Sequence, residues 1–467
     1  MDFRRSWLTR REFGLTLGAS ALAPLVAEET AGMPWRGPAI VNKVYVAVSK
    51  PTWPRPTIDV EQSHKELEAQ FAGLEKRHPG VVRFTGGAIV RTQEEVAAWQ
   101  KSLGEVDGIV ASTLTSGTDA LLRPIGKLNL PTVLFLRPYT GFQYATFAPF
   151  VQAGNRADIL ASSEFGDLDV YARIFNTIHH VRKSKLIVAA SKQDGYARFA
   201  EPFQKKFGTT MQFMDYKELM AAANAIDTAQ AATLGDEYMR GALRVVEPSR
   251  QEIRDAYRFY LGVKELLKRE KANGIAIDCL GGFRRGDLNL YPCVAFSKLN
   301  DEGLYGVCQS DLQSAMTMLL LTSFSGKPGF IVNPVFDTSR SEVILAHCVA
   351  PAAPHGIGTA ACPYILRSHM EDDKGVAVQV LMPVGGTVTV AKFQDQDTLR
   401  FSTAEVLGNV DRPEGCRTQI RTRVADARKM SLNFTDLGVH RVVFYGDYRE
   451  PLDRMAHMMG FKLLQEC

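Results

Sequence analysis

The segment LYGVCQSDLQSAMTMLLLTSFSGKPGFIVN, residues 304–333, is the part of the sequence that decides the fold prediction. It contains an apolar run ending at Cys308, a strongly apolar helical stretch at residues 311–324 and a second apolar run at residues 329–332. A strand, a helix and another strand in succession form the unit from which helix-covered parallel sheets are built. The segment therefore predicts an α/β architecture.

The same alternation extends toward the N-terminus. Apolar runs predict strands at residues 44–48, 81–84, 108–111, 132–136, 159–161, 186–190, 211–214 and 275–279. Amphipathic stretches predict helices at residues 60–77, 94–103 and 119–127, and charged helical sequence covers residues 217–272. This rhythm is typical of parallel sheets with helices on their faces.

The pattern changes beyond Ser341. Segments at residues 343–346, 376–382, 387–393, 399–402 and 419–423 are typical of antiparallel strands, with a turn at residues 384–386. A run at residues 442–445 and a helix from Pro451 predict one more βα unit.

Because 467 residues exceed what one core usually organises, several domains are expected. We predict two parallel-sheet α/β domains, residues 28–165 and 166–340, followed by a β-rich C-terminal domain, residues 341–467. Residues 1–27 are set apart as an export signal.

Composition and charge exclude several classes of function. The formal net charge is +4, and residues 1–27 supply half of it, because four arginines there outnumber two acidic residues. The remaining chain is nearly neutral and has no concentrated basic stretch, which argues against nucleic-acid binding. A GxGxxG motif after a strand, a P-loop and HExxH are all missing, so dinucleotide, P-loop and zincin sites are not predicted.

The seven cysteines all lie in the C-terminal half of the sequence, and no two of them form a CxxC pair. A zinc ribbon is therefore not indicated. The odd number and the apolar surroundings favour buried reduced thiols over a disulfide framework.

The N-terminus resembles a twin-arginine signal. Arg10 and Arg11 are followed by Phe13 and by a weakly apolar run at residues 14–27 with a small-residue cleavage site near Ala27. The run is too short to cross a bilayer, and no later segment is long enough, so the mature chain is expected to have no membrane span. We expect export to the periplasm; the alternative is a chance Arg-Arg pair in an ordinary helix.

Several motifs resemble the C-terminal half of the L-fucose and L-arabinose isomerase superfamily. They are residues 290–296 (LYPCVAF), 308–311 (CQSD), 315–319 (AMTML), 328–330 (PGF), 346–348 (AHC) and 438–447 (GVHRVVFYGD). In that family an acidic residue two positions before the Asp that opens the apolar helix binds a divalent metal, usually Mn²⁺. A second acid from the following strand and a C-terminal histidine complete the protein ligands. The resemblance assigns these positions to Gln309, Asn333 and His440.

The resemblance implies metal-assisted proton transfer between C1 and C2 of an open-chain sugar through an enediol. In such a site a carboxylate neutralises the metal and can move the proton. Gln309 and Asn333 are the candidate catalytic and metal-binding residues. Their amide side chains have the shape of the family's carboxylates and still offer an oxygen as a metal ligand. A neutral amide cannot act as a general base and attracts a hard cation less strongly, so Mn²⁺ or another divalent cation is expected to bind weakly or not at all.

Other residues are candidates for the base that the two amides cannot supply and for binding of the substrate. Asp311, Asp337 and Glu302 are nearby acids, although helix capping is favoured for Asp311 and a solvated loop role for the other two. His347 is favoured as a hydrogen-bonded core histidine. Arg367 and His369 are candidate substrate-binding residues, with an ion pair between Arg367 and Glu371 as an equal alternative.

Two hypotheses of function follow. One is an exported sugar-active enzyme related to aldose–ketose isomerases, with altered chemistry. The other is a sugar-binding protein that retains the pocket without catalysis. A small-molecule sugar is the expected partner in both, and the resemblance implies a homo-oligomer.

Overall fold

The computed structural model describes residues 33, 35–190 and 193–467. The predicted export signal at residues 1–27 lies outside the described residues. No helix in these ranges is both long and apolar enough to cross a membrane.

The first sheet has five parallel strands in the order β2-β1-β3-β4-β5. The strands are β1 (Ala39–Val46), β2 (Val82–Val90), β3 (Gly108–Thr113), β4 (Thr132–Leu136) and β5 (Ala157–Ala161). The helices are α1 (Val60–Arg77), α2 (Gln93–Lys101), α3 (Asp119–Gly126) and α4 (Tyr144–Gln152). Every residue of β3 and β4 is buried, as expected for inner strands of a parallel sheet with both faces covered.

The second sheet has four parallel strands in the order β10-β9-β6-β7. The strands in this part of the chain are β6 (Lys185–Ala189), β7 (Thr210–Met214), the short β8 (Arg244–Val245), β9 (Gly274–Ile277) and β10 (Tyr305–Cys308). The helices are α5 (Leu168–Lys183), α6 (Gln193–Phe207), α7 (Tyr216–Asn224), α8 (Thr228–Gly241), α9 (Arg250–Glu270), α10 (Cys279–Arg285), α11 (Cys293–Asp301) and α12 (Leu312–Ser325).

The C-terminal part is a closed β-barrel with an added strand. Its strands are β11 (Phe330–Asp337), β12 (Glu342–His347), β15 (Thr387–Asp395), β16 (Thr398–Asn409), β17 (Thr418–Arg423), β18 (Arg441–Tyr445) and β19 (Lys462–Gln465). The order is β15-β18-β11-β12-β17-β16, and the barrel closes because β16 also pairs with β15. Strand β19 pairs with β16 in parallel.

The remaining elements flank the barrel. They are β13 (Tyr364–Arg367), β14 (Ala377–Val380), α13 (Ala427–Leu432), α14 (Phe434–Leu437) and α15 (Arg449–Met459). Strands β13 and β14 form a small sheet with β8. The predicted fold class, two parallel-sheet α/β units followed by a β-rich C-terminal region, is confirmed.

Helix α12 joins the second sheet to the barrel. It is apolar around its whole circumference and buries residues on every side, as a helix enclosed by other elements must. It packs against α5 and against β15 and β18. Its N-terminus therefore lies where the ends of the parallel strands meet the barrel.

Two sequence predictions in this region concern strands that belong to the barrel, and one of them was wrong in its details. Asn333 was expected just after a strand, but β11 continues through it to Asp337 and pairs in antiparallel fashion with β12. The predicted strand at residues 442–445 and the helix after it are confirmed as β18 and α15, and β18 lies antiparallel between β11 and β15 in the barrel. An apolar run has the same local pattern in a parallel sheet and in an antiparallel barrel. Only the distant strand with which it pairs decides between the two.

Candidate functional site

A pocket opens where β9 and β10 end and meet the barrel. The space enclosed at its centre is about 20 Å³, and the space that also includes the open mouth and solvent is about 440 Å³. The lining residues are Cys279, Leu280, Phe283, Pro292, Cys293, Cys308, Gln309, Asn333, His347, Cys348, His369, Met370, Glu371 and Cys416. The carboxyl ends of parallel strands are the usual position for ligands in α/β proteins, so this pocket is the candidate site.

Gln309 reaches the pocket through an unusual backbone turn. Gln309 and Ser310 both have left-handed conformations, with φ of 56° and 48°. This conformation is uncommon outside glycine and costs on the order of 1–3 kcal/mol per residue. The turn is fixed by the Ser310 N–H, which donates to the Ile277 carbonyl at 3.1 Å. Backbone strain of this kind is concentrated at functional sites.

Asn333 brings an unsatisfied oxygen to the same pocket. It lies on β11 opposite Ala346, and its Oδ1 is shielded from solvent without a hydrogen-bond partner among the described residues. Leaving a buried acceptor unpaired costs about 1–3 kcal/mol. A bound hydroxyl group would supply the missing donor.

His440 is held by a buried ionic group next to the pocket. Its Nδ1 lies 3.0 Å from Asp311 Oδ2, and Lys392 Nζ donates to the same oxygen at 2.5 Å. Asp311 Oδ1 accepts the Ser314 N–H at 2.9 Å, which confirms the predicted helix cap. Burial opposes ionisation of Asp311, but the Lys392 charge and His440 hold its pKa well below the ordinary range.

The contact with Asp311 fixes the orientation of the His440 ring. With Nδ1 directed at the carboxylate, Nε2 lies on the opposite side of the ring, where it has no hydrogen-bond partner among the described residues. His440 does not line the pocket. Its ring centroid lies 5.4 Å from that of His347, and His347 does line the pocket.

His347 offers the opposite chemistry. Its Nδ1 accepts the Cys348 backbone N–H at 2.8 Å. Burial, together with nearby His440 and His369, lowers the pKa of His347 well below the ordinary value, so the ring is neutral. Its proton is then on Nε2, which has no partner in the described part of the chain. His347 is therefore a donor toward the pocket, while Asn333 Oδ1 is an acceptor.

The donor set does not fit a tightly bound hard cation. Within residues 33, 35–190 and 193–467, no group of three or more His, Cys, Asp or Glu side chains is arranged to hold a metal ion. Gln309 and Asn333 are neutral, and the Asp311 charge is already paired with Lys392. Mn²⁺ would thus meet no carboxylate among the three predicted ligands.

The two predicted substrate-binding residues differ in position. His369 lines the pocket, and its Nδ1 lies 3.2 Å from Asp372 Oδ1. Arg367 does not line it, because its guanidinium donates to Glu247 at distances of 2.7 to 2.9 Å. The alternative, an ion pair of Arg367, is correct in kind, but the partner is Glu247 and not Glu371.

The acids proposed as substitute bases lie elsewhere. Asp337 is exposed, as predicted, and accepts from the Ser339 hydroxyl at 2.6 Å, but it is the last residue of β11 and not a loop residue. Glu302 is buried, accepts from the Tyr260 hydroxyl and forms an ion pair with Lys264 at 3.3 Å, so the loop prediction was wrong for it. The carboxylate that does line the pocket is Glu371.

The sequence analysis missed the concentration of thiols at this pocket. All seven cysteines are free, as predicted, and five of them line the pocket. These are Cys279, Cys293, Cys308, Cys348 and Cys416. The available signal was their position: Cys308 ends β10, and Cys348 directly follows β12.

Comparisons with known proteins give a distant relationship. No family model matches the chain. It is 24% identical over 273 residues to a sulfoquinovose isomerase of Clostridium sp. (strain MSTE9), covering 54% of this chain and 57% of that protein. It is 21% identical over 272 residues to sulfoquinovose isomerases of Priestia aryabhattai and Priestia megaterium, covering 56% and 59%. The chain thus spans less than three fifths of the curated relatives it matches, and it is similar to sugar isomerases.

Proposed function

We propose that this chain acts on sugars through a pocket of the aldose–ketose isomerase type. One observation carries the proposal: Gln309 and Asn333, the positions at which the resemblance predicts an isomerase site, line one pocket. His440, the third predicted position, has an unpartnered Nε2 and contacts the ring of His347 on that pocket. The similarity to proteins named sulfoquinovose isomerase supports the same class.

The polar atoms of the pocket suit an open-chain sugar. Asn333 Oδ1 accepts a hydrogen bond from a sugar hydroxyl, and His347 Nε2–H donates to the carbonyl oxygen at C1. A donor at this oxygen stabilises the negative charge that develops when C2 loses its proton. The apolar walls at Leu280, Phe283 and Pro292 keep the reacting carbons away from water.

An uncharged aldose fits the pocket better than a sulfonated sugar. Among the residues that the structure describes, the lining contains neither Arg nor Lys, and Arg367 is paired with Glu247. Sulfonates, like phosphates, are bound by Arg or Lys side chains or by backbone N–H groups. We therefore propose a neutral aldose as substrate, in contrast to the sugar named for the relatives.

The alternative is a sugar-binding protein without catalysis. The neutrality of Gln309 and Asn333 favours it, because neither amide can accept a proton from carbon. The two functions differ in one observable, which is exchange of the C2 proton of the sugar with solvent.

The test is to incubate the chain with neutral aldopentoses and aldohexoses, and with sulfoquinovose, in D₂O and to follow the sugars by NMR. Isomerase chemistry predicts deuterium at C2 and the appearance of ketose signals. The variant His347→Ala should slow this exchange, whereas Asp337→Asn, outside the pocket, should leave it unchanged. Saturable binding without exchange would favour the sugar-binding alternative, and absence of both would contradict both functions.

Export is a separate proposal. We propose that the twin-arginine pair Arg10 and Arg11 sends the folded chain to the periplasm. The double variant Arg10→Lys, Arg11→Lys should remain unprocessed in the cytoplasm, as measured by cell fractionation. Export and trimming equal to the unmodified chain would contradict the proposal; Arg4→Lys, outside the motif, serves as the control.

A further inference from the structure

Two thiols of the pocket are in contact with each other. Cys279 follows β9 at the start of α10, and Cys308 is the last residue of β10. Their Sγ atoms are 3.6 Å apart, and both residues are buried and line the pocket. The ends of two neighbouring strands are therefore joined by a direct sulfur–sulfur contact.

The backbone around this pair is fixed without a cross-link. Cys308 lies opposite Ile277 in the parallel pairing of β10 with β9. The Ser310 N–H donates to the Ile277 carbonyl at 3.1 Å and holds the turn after Cys308. The Asp278 carboxylate accepts the Gly281 N–H at 3.1 Å and holds the turn at Cys279. The fold thus keeps the two sulfur atoms close together while they are not bonded.

A disulfide between Cys279 and Cys308 requires only a small movement. The length of a disulfide bond is about 2.05 Å, so the two sulfur atoms must come about 1.5 Å closer to each other. The two side chains share this movement, and small rotations of both can supply it. The bond can therefore form without separation of the two strands.

The pocket gives a small oxidant access to the pair. The space enclosed at its centre is about 20 Å³, which is enough for a molecule of the size of water. Hydrogen peroxide is close to this size, whereas a disulfide reagent such as oxidised glutathione is much larger. A peroxide is therefore the class of oxidant that fits this position.

We propose that Cys279 and Cys308 form a reversible disulfide when a peroxide enters the pocket, and that this bond lowers the affinity of the pocket for its sugar. The second part rests on the proposed function. Cys308 directly precedes Gln309, so a cross-link at Cys308 constrains the left-handed turn that carries the pocket amide. The disulfide also removes two S–H donors from the lining.

The reaction consumes one peroxide and releases two waters. One thiol sulfur attacks a peroxide oxygen, so that the S–O bond forms, the O–O bond breaks and the leaving oxygen takes the thiol proton. The second sulfur then attacks the first, the S–S bond forms, the S–O bond breaks, and the hydroxyl group leaves with the second thiol proton. The two sulfur atoms lose two electrons in total, and the peroxide gains them. A dithiol reverses the reaction by thiol–disulfide exchange.

The first arm of the test identifies the bond and does not depend on any sugar. The reduced chain is treated with hydrogen peroxide, the remaining thiols are blocked, and a non-reducing digest is analysed by mass spectrometry. The expected product is a cross-link between the peptides that contain Cys279 and Cys308, and it should disappear with dithiothreitol. A cross-link between Cys348 and Cys416 in its place, or sulfinic acid without any cross-link, would overturn the proposal.

Matched variants assign the bond to this pair. Cys279→Ser and Cys308→Ser each remove one partner, so neither should form a disulfide, and the remaining thiol should be oxidised further to sulfinic acid. Cys362→Ser removes a cysteine outside the pocket and should form the disulfide like the unmodified chain. An equal yield of intramolecular disulfide in Cys279→Ser would overturn the pairing. The first arm uses the unmodified chain, so its result stands even where a variant folds poorly.

The second arm measures the effect of the bond on the pocket. Neutral aldopentoses and aldohexoses are titrated calorimetrically into the reduced, the oxidised and the re-reduced chain. Oxidation should weaken binding by about tenfold, the order expected for the loss of one hydrogen bond, and reduction should restore it. Equal binding by the reduced and oxidised chains would overturn the effect on affinity and leave the proposed function intact. Absence of binding by the reduced chain would overturn the proposed function, while the first arm still decides whether the disulfide forms.

Discussion

The face of the pocket and the side chains directly beside it are built from opposite chemistry. The pocket face consists of amides, thiols, imidazoles and apolar groups, with one carboxylate, Glu371, which is exposed. The neighbouring buried group consists of full charges, Asp311 with Lys392 and Arg441 with Glu466, and we call these four residues the charged layer. The charged side chains next to the pocket therefore form ion pairs with one another and stabilise the fold.

The difference shows how a carboxylate can lie two residues from Gln309 and still be unavailable to a ligand. Asp311 caps α12, orients His440 and binds Lys392 of β15, so it joins the end of the second sheet to the barrel. We expect substitutions in the charged layer to lower stability and substitutions on the pocket face to change function.

The largest effect is expected for the ion pair of Arg441 and Glu466, whose side chains are both fully buried. Glu466→Gln leaves the Arg441 charge without its counter-ion and should lower the free energy of unfolding by about 3–5 kcal/mol. Urea denaturation measures this loss. The control is Glu405→Gln, whose partner Arg423 is exposed, and it should change stability by less than about 1 kcal/mol. Equal losses of stability in the two variants would contradict the expectation that the buried charges stabilise the fold more than exposed ones.

A smaller effect is expected for Lys392→Met, because Asp311 keeps His440 as a partner. The loss should be about 2–3 kcal/mol at neutral pH, less than for a pair that loses its only partner. Lys183→Met, which removes one partner of the largely exposed Glu105, is the matched control and should have little effect.

The pH dependence sharpens this prediction. Asp311 has a folded pKa below its unfolded value, so its stabilisation is present above about pH 4 and is lost as the pH falls further. In Lys392→Met the folded pKa rises, and the decline in stability below about pH 4 should be shallower. Denaturation curves at several pH values measure the two slopes, and identical slopes would mean that Lys392 does not hold the Asp311 charge.

The smallest change in stability is expected for a substitution on the pocket face, and this change is an increase. Gln309→Gly relieves the left-handed backbone and should raise stability by about 1 kcal/mol while removing the pocket amide. Gln309→Ala removes the same amide and keeps the strain, so it should not gain stability. A stability loss for Gln309→Gly similar to that for Lys392→Met would show that the pocket face also carries the fold.

The sequence predicted those features that depend on local pattern. Helix α1 at residues 60–77 and strand β4 at residues 132–136 agree with their predicted bounds. The cap at Asp311 was also predicted, because a capping residue directly before an apolar run has a local signature. The two amide residues of the pocket, Gln309 and Asn333, were identified from the resemblance of a single segment.

The features that depend on distant partners were not predicted. Closure of the barrel requires β15 to pair with both β16 and β18, and no local pattern specifies this. Arg367 is bound to Glu247, which lies 120 residues away in the sequence. The pocket thiols are similarly scattered between Cys279 and Cys416, so only the folded chain brings them together.

The most direct test of the account is a calorimetric titration of Mn²⁺ into the unmodified chain and into the double variant Gln309→Glu, Asn333→Asp. We propose that neutral amides stand here at the positions where isomerases of this type have charged metal ligands, and charge beside a divalent ion in a partly dry site is worth on the order of several kcal/mol. This proposal predicts weak or undetectable binding to the unmodified chain and clearly tighter binding to the double variant. Tight and equal binding to both would contradict it.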